Sequence, residues 1–123
     1  HVLIRNAAGE LLLQKRSIWK DRNPGVWDAS AAGHVDAGET YAAAAARELQ
    51  EELGVTCPLE PAGSVPCSEQ TGWEFVEIFR GVHEGPFSPA GMEVETTAFF
   101  PPDQIRRWLA RSPEEFSPLF PLV

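Results

Sequence analysis

Cysteine is scarce in this chain of 123 residues: Cys57 and Cys67 are the only two, and they form no CxxC pair. No His/Cys cluster at ligand spacing accompanies them, which argues against structural zinc. Two free thiols in a cytoplasmic protein are expected in preference to a disulfide. Basic residues are also few, with 10 Lys+Arg against 18 Asp+Glu and a formal net charge of −8. That balance argues against nonspecific binding to nucleic acid or anionic membrane. It does not exclude an anionic substrate if metal ions mediate the contact. No apolar run approaches the ~20 residues of a membrane span, and no signal peptide is evident. Internal repeats, low-complexity tracts and obvious linkers are missing too, so residues 1–123 are expected to form one mixed α/β domain. The chain starts at His1, already in strand-like sequence, so further residues are expected upstream.

What is present is a succession of short, well-punctuated elements. Residues 2–6 and 10–16 read as two strands joined through Ala7, Ala8 and Gly9. In the second, Leu12, Gln14 and Arg16 share one face, and Leu11, Leu13 and Lys15 the other. Residues 17–25 form a polar loop with a Pro24-Gly25 turn, and residues 26–31 read as a short strand. Past the middle, Pro58, Pro61, Gly63 and Pro66 break the chain into short extended pieces. Residues 73–83 are the best strand candidate of the second half, and 84–91 a Pro/Gly loop. Residues 94–100 read as another strand, ended by Pro101-Pro102. Asp103 is then the expected cap of a helix on which Ile105, Trp108 and Leu109 follow helical spacing. Residues 112–123 are expected to add a helical turn and an apolar tail that packs back.

The richest stretch is residues 33–55, GHVDAGETYAAAAARELQEELGV. Thr40 is an expected N-cap and Gly54 an expected C′ residue, bounding a helix over Tyr41–Leu53 about 20 Å long at ~1.5 Å per residue. Ala42, Ala46, Leu49 and Leu53 form its expected apolar stripe, with the glutamates largely away from it. Glu48, Glu51 and Glu52 are three and four residues apart, hence neighbours on one surface. Carboxylates crowded in this way repel one another unless a cation joins them, and Mg²⁺ takes oxygen ligands of this kind.

These residues resemble the Nudix box, G-x5-E-x7-R-E-U-x-E-E-x-G-U with U aliphatic. Gly33, Glu39, Arg47, Glu48, Leu49, Glu51, Glu52, Gly54 and Val55 fill every specified slot. A solvated acidic helix face would account for the three later charges, but not for Glu39, Arg47 and both bracketing glycines together. The resemblance implies an α/β/α sandwich with a mixed sheet and a loop–helix–loop metal site. It also implies hydrolysis of a diphosphate linkage in a nucleoside diphosphate derivative or similar small phosphorylated metabolite. Glu48 and Glu52 are then the main Mg²⁺ ligands, with Mn²⁺ as a substitute ion. Glu51 shares metal or water, and the Gly33 carbonyl is a further donor. Arg47 resembles the arginine that orients a catalytic glutamate, with Glu39 as its available partner. The general base varies in this family, so Glu52, Glu48 and the outside candidates Glu74 and Glu93 all stay open.

The run LLLQKRS…WKDRNPGVWDASAAGH resembles the branch that includes type I isopentenyl-diphosphate isomerases. There the matching places of Arg16 and Lys20 hold diphosphate oxygens, work suited to a bidentate guanidinium and a point-charge ammonium. His34 stands where the isomerases carry a metal histidine, and Glu74 near one of their metal glutamates. Their proton-shuttling cysteine, however, is replaced here by Ala32, which cannot transfer a proton. Hydrolysis is therefore expected over isomerisation. A non-catalytic ligand-binding domain is a third reading, set back by the intact box. Trp19, Trp27 and Trp73 are candidates to stack on a base, with core packing favoured for Trp27. Glu95 reads as a solvated strand residue. The partner is expected to be a small molecule. A homodimer is allowed by the resemblance, with no interface fixed by the sequence.

Overall fold

The computed structural model describes residues 1–19, 24–66, 68–69, 75–91, 94–117 and 120. The expected hairpin is present as β1 (Val2–Arg5) and β2 (Leu11–Arg16), turned through Gly9, whose φ is 80°. The two strands separate at once, since only Arg5 and Leu11 stand as partners between them. β6 (Val94–Phe100) runs antiparallel along the whole of β2 and occupies one of its edges. The other edge is shared by β1 at Leu11 and by β3 (Trp27–Asp28) at Gln14 and Lys15. The expected strand over residues 26–31 is thus shorter than its sequence suggests. Its later part leaves β2 and bridges β1 through Ala31 and Val2. Where the strands diverge, the fully buried Ser30 hydroxyl accepts from Ile4 N (2.8 Å) and donates to Leu12 O (2.6 Å). One side chain thereby satisfies two backbone groups that would otherwise be orphaned in the interior.

β1 continues in parallel to β5 (Val76–Val82), which pairs antiparallel with β4 (Glu60–Val65), so the sheet is mixed as expected. β4 is one continuous strand where short extended pieces are expected, because Pro61 and Gly63 oppose strand structure. It is tolerated because this strand ends the sheet, and its register shifts between those two residues.

The two faces of β2 separate as its alternation requires. On one side Leu12 joins Val2, Ile4, Leu49, Leu53, Val55 and Phe79 beneath α1 (Tyr41–Leu53). On the other, Leu13 joins Ile105, Phe116 and Phe120 beneath α2 (Pro102–Arg111). Each fully buried leucine contributes about 1.5–3 kcal/mol. Trp27 sits in this second layer, edge-on to Phe100 and Trp108 with ring centroids 5.4 and 5.5 Å away, and is core as favoured. Phe116 and Phe120 bring the chain's tail back onto the same layer, past a 3₁₀ turn at Pro113–Glu115. The result is the α/β/α arrangement. No helix among the described residues is long and apolar enough to cross a membrane.

Helix α1 has its expected bounds: Thr40 accepts from Ala43 N (3.1 Å), and Gly54 caps with φ 70°. Its buried face is different from the expected one. Ala44, Ala45, Leu49, Glu52 and Leu53 face inward, whereas Ala42 and Ala46 are exposed. Five consecutive alanines carry no hydrophobic contrast, so the phase is set by Leu49 and Leu53 seating on the sheet. Glu52 is carried inward with them, against expectation. The loop over residues 84–91 closes the helix end, with Ser88 N donating to Leu53 O (2.8 Å) and Ala90 N to Glu52 O (2.9 Å). In α2 the cap position belongs to Pro101, which makes no side-chain cap. Asp103 lies instead in the first turn, where it pairs with Arg106 at 3.1 Å and favours the positive end of the helix.

Candidate functional site

The site forms where the 33–40 loop meets α1, and Arg47 organises its outer flank. Its guanidinium grips Glu39 with two bonds, Nε to Oε2 at 2.8 Å and Nη2 to Oε1 at 3.0 Å. Nη2 also donates to the His34 carbonyl (2.9 Å), while Nη1 donates to Glu48 (2.8 Å) and Glu51 (3.2 Å). Asp36 lies 3.5 Å away, and Glu39 returns to the loop by accepting from Asp36 N at 3.0 Å. A lysine could not span this fan of acceptors, because it lacks the planar fork. The hydrogen bonds with Arg47, then the one from Asp36 N, hold the Glu39 carboxyl below its ordinary value. Glu39, and after it Glu48, push the Arg47 guanidinium up.

The inner flank is built differently. Glu52 is only 6% exposed, and each carboxylate oxygen has one neutral donor. Gln14 Nε2 donates to Oε1 at 3.0 Å and Ala32 N to Oε2 at 3.1 Å. Burial pushes this carboxyl up to about 8; the Gln14 bond opposes the shift, and the charge of Glu48 adds to it. Glu48 lies close enough to hydrogen-bond Glu52 when one of the pair is protonated. Gly33 packs directly on Glu48: a Cβ there would overlap its carboxylate.

The carboxylate oxygens of Glu48 and Glu52 are hard metal ligands, the kind a divalent cation of the Mg²⁺ type takes. Two acids that share a proton are where such a charge would be accepted in its place. Glu48 and Glu52 could hold such an ion, with the Gly33 carbonyl alongside. Among the described residues no group of three or more His, Cys, Asp or Glu converges as a closed cage. An Mg²⁺ site commonly has only one or two carboxylates and is completed by water and substrate phosphate.

Arg16 ends β2, where the register with β6 slips between Lys15 and Arg16. It lies within electrostatic reach of Asp28, whose carboxyl is pushed up by burial. His34 is exposed, and its backbone carbonyl serves Arg47. Trp19 is 72% exposed. Glu95 is a surface strand residue paired with Lys15 at 3.5 Å, as read. Cys57 is a free thiol. Lys20, Cys67, Trp73, Glu74 and Glu93 lie outside the described residues. Two residues that sequence reasoning passed over are Gln14 and Ser30. The only signal for Gln14 is a polar residue on the strand face that carries Leu12.

A model of the NUDIX domain matches residues 1–120. An uncharacterized Nudix hydrolase of Pseudomonas aeruginosa is 38% identical over 103 residues, covering 83% of this chain and 61% of that protein. An isopentenyl-diphosphate Delta-isomerase of Streptomyces avermitilis is 37% identical over 119 residues, covering 91% of this chain and 60% of the isomerase. The chain thus spans about three fifths of the length of these curated relatives. The crystal structure of DR0079 from Deinococcus radiodurans superposes with a TM-score of 0.82 at 25% identity, covering 90% of this chain and 70% of that one.

Proposed function

The chain belongs to the Nudix family, and from that premise we propose that it is a Mg²⁺-dependent hydrolase of a diphosphate linkage. The substrate in this reading is a nucleoside diphosphate derivative or similar small phosphorylated metabolite. The observation that carries the reading is the pair Glu48 and Glu52, one half-buried and one buried, facing each other beside Gly33. Glu48 and Glu52 hold the metal with the Gly33 carbonyl, and Glu51 shares metal or water. When bound, the ion neutralises charge on the diphosphate and lowers the pKa of a water. Glu52 or Glu48, or a glutamate outside the box such as Glu74 or Glu93, would serve as the general base. Arg47 orients the loop and Glu48 through its bonds to Glu39, the His34 carbonyl and Glu48 itself. Arg16 and Lys20 grip substrate phosphate oxygens. Residues 1–123 work as one domain.

The relatives named isopentenyl-diphosphate Delta-isomerase are consistent with a second reading, alkene isomerisation. Ala32 weighs against it. Its side chain is a methyl group, and its backbone N–H is engaged in holding Glu52. A panel of nucleoside diphosphate derivatives and isopentenyl diphosphate, incubated with Mg²⁺ and with products identified, separates the readings. Cleavage of a diphosphate bond without allylic product is expected. Allylic product would establish the isomerase, and no turnover across a wide panel would favour a binding domain.

A further inference from the structure

We propose that Gln14 is a positioning residue whose buried amide holds the Glu52 carboxylate ready for a divalent cation. This rests on the reading of Glu48 and Glu52 as the metal-holding pair. On β2 the face toward α1 is an apolar face, shared with the fully buried Leu12, yet Gln14 sits on it at 1% exposure. A buried amide in such a place is costly unless its hydrogen bonds are made. Here both protons of Nε2 are used, one on Ser30 O (3.1 Å) and one on Glu52 Oε1 (3.0 Å). Ser30 O is a backbone carbonyl and only accepts, so the NH₂ end of the amide must face it.

The grip is anchored from behind. Ser30 is tied to both strands through its hydroxyl, at 2.8 Å to Ile4 N and 2.6 Å to Leu12 O. Ala32 N, two residues along the same segment, holds the second oxygen of Glu52 at 3.1 Å. The helix therefore supplies the carboxylate, and the sheet supplies the clamp. Both donors are neutral, so the clamp fixes orientation without cancelling the negative charge. Glu39 is held in the opposite way, by a guanidinium that does cancel it. A neutral clamp leaves Glu52 available to a cation. Partners of this kind orient metal ligands in general.

The test measures Mn²⁺ affinity of the purified protein without substrate, by calorimetry or the free-ion EPR signal, with circular dichroism and thermal melting alongside. Gln14→Met, close in volume but without a donor, is expected to bind Mn²⁺ about 10–100-fold more weakly while folded. Gln14→Asn retracts the amide by one methylene, keeps a polar group in place if methionine is not tolerated, and is expected to weaken binding as well. Wild-type Mn²⁺ affinity in either folded variant overturns the proposal and leaves Gln14 as packing. Glu52→Gln is measured in parallel. If it too keeps wild-type affinity, the metal reading itself fails. If it loses affinity and the Gln14 variants do not, only the clamp is lost.

Discussion

Glu51 and Glu52 are consecutive on one helix and occupy two different solvents. The Glu51 side chain is 58% exposed and meets Arg47 at 3.2 Å, on a flank where water and a cation share the work of neutralisation. Glu52 is 6% exposed and meets only neutral donors, Gln14 and Ala32, beside a second acid. The helix sequence repeats one residue type, and the sheet divides it into a wet acid and a dry one. A charge in water with a guanidinium is already satisfied, and an exposed pair of this kind is worth only about 0–1 kcal/mol. A charge held dry by neutral groups is not satisfied, and that imbalance is what the proposed divalent cation would answer.

The strongest way to break this contrast is to neutralise each acid in turn. Glu52→Gln should lower Mg²⁺-dependent hydrolysis on the order of 10²–10⁴-fold with the fold retained, whereas Glu51→Gln should lose markedly less. Steady-state rates on a cleaved substrate, with circular dichroism, check this. Equal losses in the two variants would remove the distinction between the flanks.

Next in size is Gly33→Ala. The added methyl must displace the Glu48 carboxylate, leaving Glu52 without its partner. An activity loss near 10²-fold is expected, the scale of a misplacement of about 1 Å at a catalytic centre. A similar test of the wet flank is Arg47→Lys, which keeps the charge but cannot hold Glu39 by two bonds while reaching His34 O and Glu48. A smaller rate loss, roughly 10-fold, is expected because the Gln14 and Ala32 bonds that hold Glu52 are left intact. Full activity in the lysine variant would mean that charge alone suffices there.

A separate test concerns pH and the metal-free protein. The folded state binds the Glu52 proton more tightly than the unfolded chain, its carboxyl standing near 8 against an ordinary 4.5. Stability should therefore fall as pH rises from about 4.5 through about 8, and the penalty is fully present above that window. Chemical denaturation in a chelator across pH 5–9 measures the slope. Glu52→Gln should flatten it.

How far these features can be read from the chain depends on the distance between the residues that make them. The bounds of α1 are local, written by Thr40 and Gly54, and they stand where the sequence puts them. The box spacing likewise brings Glu39 to Arg47, eight residues apart. The inward phase of α1 was illegible across its alanines, and with it the burial of Glu52. The continuity of β4 was hidden because Pro61 and Gly63 are poor strand residues in general, acceptable only at the end of a sheet. The Asp103 cap failed because Pro102 already starts the helix and its fixed φ suits the first turn.

By itself, then, the sequence determined the class of chemistry: hard oxygen donors at helical spacing, an arginine to organise them, glycines where the chain must turn or be approached closely. Those are short-range matters of backbone geometry and ligand type. Tertiary structure alone decided which glutamate is dry. Gln14 reaches Glu52 across 38 residues of chain and Ala32 across 20, and such contacts exist only once β2 and α1 have packed on each other. Desolvation is a property of that packing, and it separates two chemically identical side chains that stand next to each other in the chain.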